Sequence, residues 1–232
     1  MIRSVLVILM FTLLVTSCQT HQVHCANEKA LLTIADSFPS VILDFSKTKG
    51  ELENKIRSIT SAQNQKKPLH FNLLLYGKNY HSSIHAGHSI KPACYGMPAM
   101  QHRSPQLEVN LNFPNQALME GKHLIPLDSI PGYIRWYLPN DKPYGEKVVK
   151  LTWKPESDAL AIEKTIVQIG KGYLSFYEKE ARAKFKKPLC QLDSTELNVV
   201  SKKYPFELRL WVGDPPKTFT PVLKPKGETV TS

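Results

Sequence analysis

Histidine gathers in one part of this chain. His81, His85 and His88, followed by Cys94 and His102, form its one cluster of ligand-type residues, in a stretch from Tyr76 to Pro105 that is rich in His, Gly and Pro. Imidazoles four residues apart meet on one face of a helix and can chelate zinc or copper. Gly87 and the missing helical period of apolar residues argue against a helix here. The expectation is therefore a long polar surface loop in which Cys94 is oxidised and no metal or other cofactor is held. Loops of this length in compact domains often carry function. Tyr80, Tyr95 and His102 are the residues expected to contact a partner, because aromatic side chains dominate interface hot spots.

Catalytic spacing is sparse. Ser46-x-x-Lys49 matches the opening motif of the penicillin-binding serine enzymes, in which the lysine activates the serine, but no Ser-Asp-Asn accompanies it and no Lys-Thr-Gly stands on a late strand. Gly-x-Ser-x-Gly, His-Glu-x-x-His, Cys-x-x-Cys and the phosphate-binding Gly-rich loops are absent from the sequence. Asp44, Glu108 and Asp128 show no spacing that singles out an acid and base pair. The chain is expected to work by binding, not as an enzyme.

The first eighteen residues say where it would do so. Arg3 gives a basic lead, Val5 to Val15 is an almost unbroken apolar run, and the run stops at Val15-Thr16-Ser17-Cys18. Those are the parts of a bacterial lipoprotein signal: a secretory lead and core, small residues for a signal peptidase, and a cysteine whose thiol takes a diacylglyceryl group. The run falls short of the roughly 20 residues a helix needs to cross a bilayer. Residues 1–17 are thus read as a cleaved signal and 18–27 as a lipidated tether beginning at Cys18. Residues 28–213 are read as one globular domain and 214–232 as a Pro-rich tail. Gln19, not Asp, follows the cysteine. Resemblance to enterobacterial lipoproteins then implies sorting to the outer membrane, facing the periplasm.

Composition agrees with a folded body, at 42% hydrophobic and 9% aromatic residues in 232. The formal charge is +10, with 30 basic residues against 20 acidic. Nucleic acid is scarce in the periplasm, so the acidic partners available are lipid head groups, lipopolysaccharide phosphates and acidic proteins; a solvated Lys-rich surface needs no partner at all. With Cys18 consumed by lipid, Cys25, Cys94 and Cys190 remain in an oxidising compartment. Cys94 with Cys190 is the first choice of pair, Cys25 with either is the second, and an intermolecular bond is the third.

The elements that must position these residues follow from period and punctuation. Glu28 to Phe38 reads as a short amphipathic helix ended by Pro39, and Val41 to Phe45 as a buried strand. Thr48 and Glu51 form a capping box for a helix over residues 50–61 with Leu52, Ile56 and Ile59 as its stripe. Phe71, Leu73 and Leu75, and again Leu107, Val109, Leu111 and Phe113, alternate as strands with one buried face. Gly132 to Leu138, carrying Trp136, reads as a strand joined through Pro139 to Pro143 to a return strand from Glu146 to Trp153. Thr165 to Ile169 and Tyr173 to Tyr177, across Gly170-Lys171-Gly172, read as a second hairpin before about two turns of helix; the alternative is a helix with Leu174, Tyr177, Ala181 and Phe185 as its stripe. Phe206, Leu208, Leu210 and Val212 mark the last strand. The expected fold class is α+β: an antiparallel β-sheet or sandwich of about six or seven strands, with short helices on the N-terminal side.

Three short runs resemble a known group. Leu75-Tyr76-Gly77-Lys78-Asn79-Tyr80-His81, Gly132-Tyr133-Ile134-Arg135-Trp136 and Lys150-Leu151-Thr152-Trp153 look like small bacterial lipoproteins encoded beside type VI secretion effectors. The likeness covers about the middle half of the mature chain. It implies a protein partner, since some members of those families are immunity proteins that neutralise a phospholipase or wall hydrolase in the periplasm. The other expectation is an envelope component that holds a lipid, wall or assembly partner, including a secretion or conjugation component, near the outer membrane. Replacing Cys18 with Ala is expected to abolish fatty-acid labelling and leave an unprocessed precursor; wild-type protein that takes up no labelled palmitate would remove the lipoprotein reading.

Overall fold

The computed structural model describes residues 24–34, 37–63, 69–75, 78–84, 106–109, 116–119, 123–139 and 148–212. Its strands are β1 (Ser40–Ile42), β2 (Leu69–Leu75), β3 (Lys78–Ile84), β4 (Gln106–Val109), β5 (Gln116–Met119), β6 (His123–Pro126), β7 (Val149–Trp153) and β8 (Leu208–Trp211). They join in one sheet in the order β1-β2-β3-β8-β7-β4-β5-β6. The helices are α1 (Ala26–Leu32), α2 (Lys49–Ile59), α3 (Ile130–Tyr137), α4 (Ala159–Phe185) and α5 (Ser194–Lys202). The signal and Cys18, the start of the tether, the segment with His85, His88, Cys94, Tyr95 and His102, Leu111 and Phe113, the turn from Asn140, and the tail lie outside the described residues.

This arrangement overturns the expected antiparallel sheet or sandwich. The four strands at the centre, β3, β8, β7 and β4, are parallel neighbours, and antiparallel pairing is confined to β2 with β3 and to β4, β5 and β6. Parallel neighbours need a long crossover, usually helical. Here α2 links the parallel pair β1 and β2, while α4 and α5 link β7 to β8. Helices are therefore not confined to the N-terminal side, and the longest among the described residues, α4 with 27 residues, lies in the C-terminal half.

Local signals hold where they concern neighbours in sequence. Thr48 caps α2: its Oγ1 accepts the Glu51 N–H at 3.2 Å, and Glu51 Oε2 accepts the Thr48 N–H at 2.9 Å. Leu52 and Ile56 are buried, whereas Ile59 is 39% exposed. Phe71, Leu73 and Leu75 of β2 bury on one face, as do Leu208 and Leu210 of β8. Val41, Leu43 and Phe45 are buried, but the strand expected over Val41 to Phe45 is only Ser40–Ile42, with Ile42 64% exposed. The helix expected over Glu28 to Phe38 ends at Leu32, where Thr33 turns extended. The Phe45 ring meets Trp153 at the end of β7 edge to face, 5.5 Å between centroids.

Three further expectations fail, each for a packing reason. The stretch from Tyr76 is not one long loop: Lys78–Ile84 is strand β3, paired along its length with β2 from Leu75↔Lys78 to Leu69↔Ile84. Residues 132–138 are not a strand but most of α3, whose Ile130, Ile134 and Leu138 recur every four residues and are fully buried. Pro131 stands in its first turn, where a missing N–H costs nothing. The hairpin expected between 132–138 and 146–153 accordingly does not form, and β7 pairs in parallel with β4 and β8. Finally, Gly170-Lys171-Gly172 turns no hairpin. It sits inside α4, where Ile162, Ile166, Ile169, Tyr173, Tyr177 and Ala181 make a buried stripe of helical period.

The two glycines are there for close approach. A Cβ at residue 170 would overlap the Tyr80 ring of β3, and one at residue 172 would lie 2.7 Å from Ile134 Cβ and 3.1 Å from Pro131 Cα of α3. Around them the aromatic rings interlock: Tyr173 on Phe206 at 4.8 Å and Phe176 on Tyr204 at 5.0 Å, both nearly perpendicular. The Tyr177 hydroxyl donates to the Tyr204 carbonyl at 2.5 Å, so this buried polar tip has an acceptor. Gly170→Ala separates the two explanations of that glycine. Helix propensity alone would make alanine stabilising by about 1 kcal/mol. Overlap with Tyr80 is expected to reverse the sign, to a net loss of about 2 kcal/mol in denaturant titration, part of which Tyr80→Leu restores.

Candidate functional site

Burying Ile130, Ile134 and Leu138 turns Arg135 and Trp136 of α3 outward and leaves Tyr133 and Tyr137 half-buried at the edge of the core. Trp136 is 62% exposed. Tyr133 lies between the other two rings, 5.7 Å from Trp136 and stacked on Tyr137 at 6.2 Å with the planes 13° apart. The backing is firm. Gly172 lets α4 come against Pro131 and Ile134, and at the entry to α3 the Asp128 carboxylate accepts from Gln168 Nε2 at 2.9 Å and faces Lys164 Nζ at 3.4 Å. An aromatic face with an arginine, held on a packed helix, loses little side-chain freedom on contact. Trp, Tyr and Arg are the residue types that carry most interface energy.

A second feature fixes the start of the described chain. Cys25 is disulfide-bonded to Cys190, with 5.9 Å between the Cα atoms and 165 residues of sequence between them. Cys190 lies on a short 3-10 turn, Leu189–Gln191, reached after α4 ends at Lys186 in the left-handed region at φ 59°. Pro188 bars continuation of the helix. Asn27 reinforces the bond, since its Nδ2 donates to the carbonyls of Leu189 at 2.9 Å and Leu192 at 2.8 Å. Glu28 Oε2 accepts the Cys25 N–H at 3.1 Å and lies 3.1 Å from His24 Nδ1, closing the first turn of α1. The expected pair of Cys94 with Cys190 is thereby replaced by the second choice, because a sulfur can bond only one other. The reason lies in distance along the fold, which packs α1 against the turn that follows α4.

The other expected site residues fare differently. Tyr80 is 1% exposed on the core face of β3, where burial pushes its hydroxyl up to about 12, so it is a packing residue and not a contact for a partner. Tyr95 and His102 lie outside the described residues. Of the histidine cluster only His81 is described, in register with Asn72 of β2. Ser46 and Lys49 are engaged apart from each other: the Ser46 hydroxyl donates to Asp44 Oδ1 at 2.5 Å, and Lys49 Nζ stands 5.6 Å above the Trp153 ring. That hydroxyl and the Ser46 N–H hold the Asp44 carboxyl below its ordinary range. Cys25, Glu28 and Cys190 bring ligand-type atoms within 4.8 Å of one another, but both sulfurs are spent on their mutual bond.

Sequence reasoning missed the α3 face because it assigned Trp136 to a strand. The signal that would have found it is the four-residue recurrence of Ile130, Ile134 and Leu138 behind a proline. Among the described residues no helix is long and apolar enough to cross a membrane. No family model, curated protein or solved structure matches the chain. Mapping of unreduced peptides is expected to recover Cys25 linked to Cys190, with Cys94 the cysteine that alkylates. A Cys94–Cys190 peptide would refute the pairing. The chain-entropy model for a loop of this length predicts that replacing Cys25 and Cys190 with Ala costs roughly 5 kcal/mol, read as a lowered melting temperature.

Proposed function

We propose that this protein is a lipoprotein, anchored through Cys18 in the outer membrane and facing the periplasm, that works by binding another protein. Within that reading it acts as an immunity protein, occluding an effector that reaches the periplasm. The observation that carries the binding role is the exposed Trp136 and Arg135 on α3, flanked by the half-buried Tyr133 and Tyr137 and backed by α4. An aromatic side chain of this size left 62% exposed keeps apolar surface in water, a cost that contact with a partner would remove. The Val15-Thr16-Ser17-Cys18 boundary supports the anchor, and the resemblance of short runs to effector-linked lipoproteins supports the choice of partner.

The test is Trp136→Ala in the full lipidated protein. Being a surface change, it is expected to leave the melting temperature nearly unmoved, within about 0.5 kcal/mol of stability. It is expected to weaken binding to the product of the neighbouring effector gene by about 2 kcal/mol, or some thirtyfold. Cells whose own copy is replaced by this variant should then be poisoned when that effector enters the periplasm. Full protection by a folded protein lacking both Trp136 and Tyr133 side chains would remove the site. Equal fitness of the deletion strain, with and without each neighbouring gene product, would remove the immunity role.

A further inference from the structure

The disulfide has a neighbour that the binding role leaves unused. Lys179 and Arg182 stand three residues apart on one side of the last two turns of α4, and Lys186 caps its C-terminal end; all three are exposed. Lys184 and Lys187 flank them, and Lys202 and Lys203 end α5, which packs against α4. Residues 178–203 hold seven basic side chains against the four acids Glu178, Glu180, Asp193 and Glu196. Arg182 pairs with Glu178 at 2.5 Å, Lys184 with Glu180 at 3.6 Å and Lys187 with Glu196 at 2.7 Å, while Lys186 Nζ donates to the Ala183 carbonyl at 3.2 Å and Lys203 Nζ stands 5.0 Å over the Tyr204 ring. The local excess is therefore positive.

Position gives that excess a direction. Cys190 lies four residues beyond Lys186 and holds Cys25, which is seven residues from Cys18. Seven residues span at most about 25 Å when fully extended. Acyl chains on Cys18 would keep the disulfide, and with it the basic end of α4, within that distance of the bilayer surface. Lysines so placed are strongly attracted by an anionic leaflet, at about a kcal/mol each.

We infer that the C-terminal end of α4, with Lys179, Arg182 and Lys186 at its centre, is a contact surface for the anionic phospholipid headgroups of the membrane that holds the anchor. The inference rests on the lipoprotein reading above. It gives the disulfide a mechanical role, which is to transmit the tether to one end of the long helix so that the body stands on the membrane in one orientation. Gly172, where α3 packs, is fourteen residues up α4 from Lys186, about 21 Å at 1.5 Å per residue, so the aromatic face is held clear of the headgroups.

The experiment separates the anchor from the surface. Palmitate labelling of the wild-type protein in cells tests the anchor alone. For the surface, the full mature chain is secreted with Cys18→Ser, checked for its melting temperature and the Cys25–Cys190 bond, and sedimented with phosphatidylcholine vesicles that contain or lack phosphatidylglycerol. The expected result is partition onto the phosphatidylglycerol vesicles only, falling steeply with added salt. Lys179→Gln with Lys186→Gln should lower it about 25-fold, at about fivefold per charge removed. Lys47→Gln with Lys55→Gln, on and beside α2, should change it no more than twofold. Labelled protein whose unacylated form ignores phosphatidylglycerol, or loses as much partition with the α2 pair as with the α4 pair, overturns the surface and leaves the anchor standing. Absence of label overturns the anchor reading and the orientation built on it.

Discussion

The approach of α4 to the sheet at glycine distance is the contact on which the remaining packing depends. With no side chain at residue 170, the helix settles onto the Tyr80 ring of β3, and with none at residue 172 it admits α3 on its flank. The crossover between the parallel neighbours β7 and β8 runs through this helix, so the same contact holds the sheet's centre. Tyr173, Phe176 and Tyr177 then meet Tyr204 and Phe206 on the segment leading into β8. Interiors packed as densely as organic crystals leave no slack for an added methyl at such a point. That explains glycines in a helix, where they would otherwise be unfavourable.

On α3 the buried stripe and the exposed Trp136 and Arg135 lie on different sides, with Tyr133 and Tyr137 half-buried between them. Its four-residue stripe is wholly inside, and its aromatic side is presented by a helix that cannot easily shift because Gly172 and the Asp128–Gln168 bond fix it. Tyr80, by contrast, belongs to the interior, and its role is to receive α4. Two tyrosine-bearing segments thus serve opposite ends. The difference comes from which face each turns to α4, which composition does not record.

The covalent tie at Cys25 works at a different scale. It joins the first described turn to the segment after α4, across 165 residues, and Asn27 adds two hydrogen bonds at the same place. A restraint of that span narrows the unfolded ensemble and also holds the first described turn at the C-terminal end of the longest helix.

What the sequence determined by itself was everything that neighbouring residues settle among themselves. Thr48 and Glu51 cap α2 because the atoms that bond are three residues apart, and alternation in β2 and β8 points their apolar side chains inward because successive strand residues point to opposite faces. Only the tertiary structure decided the rest. Whether Gly170-Lys171-Gly172 turns a hairpin or lets a helix approach depends on Tyr80 and Ile134, tens of residues away. Which strands lie beside β7, and whether Cys190 bonds Cys25 or Cys94, depend on contacts across the fold that leave no period in the sequence. Residue types set what each segment can bury; the partner it is buried against is chosen by the packing of the whole, because apolar contact has no direction of its own.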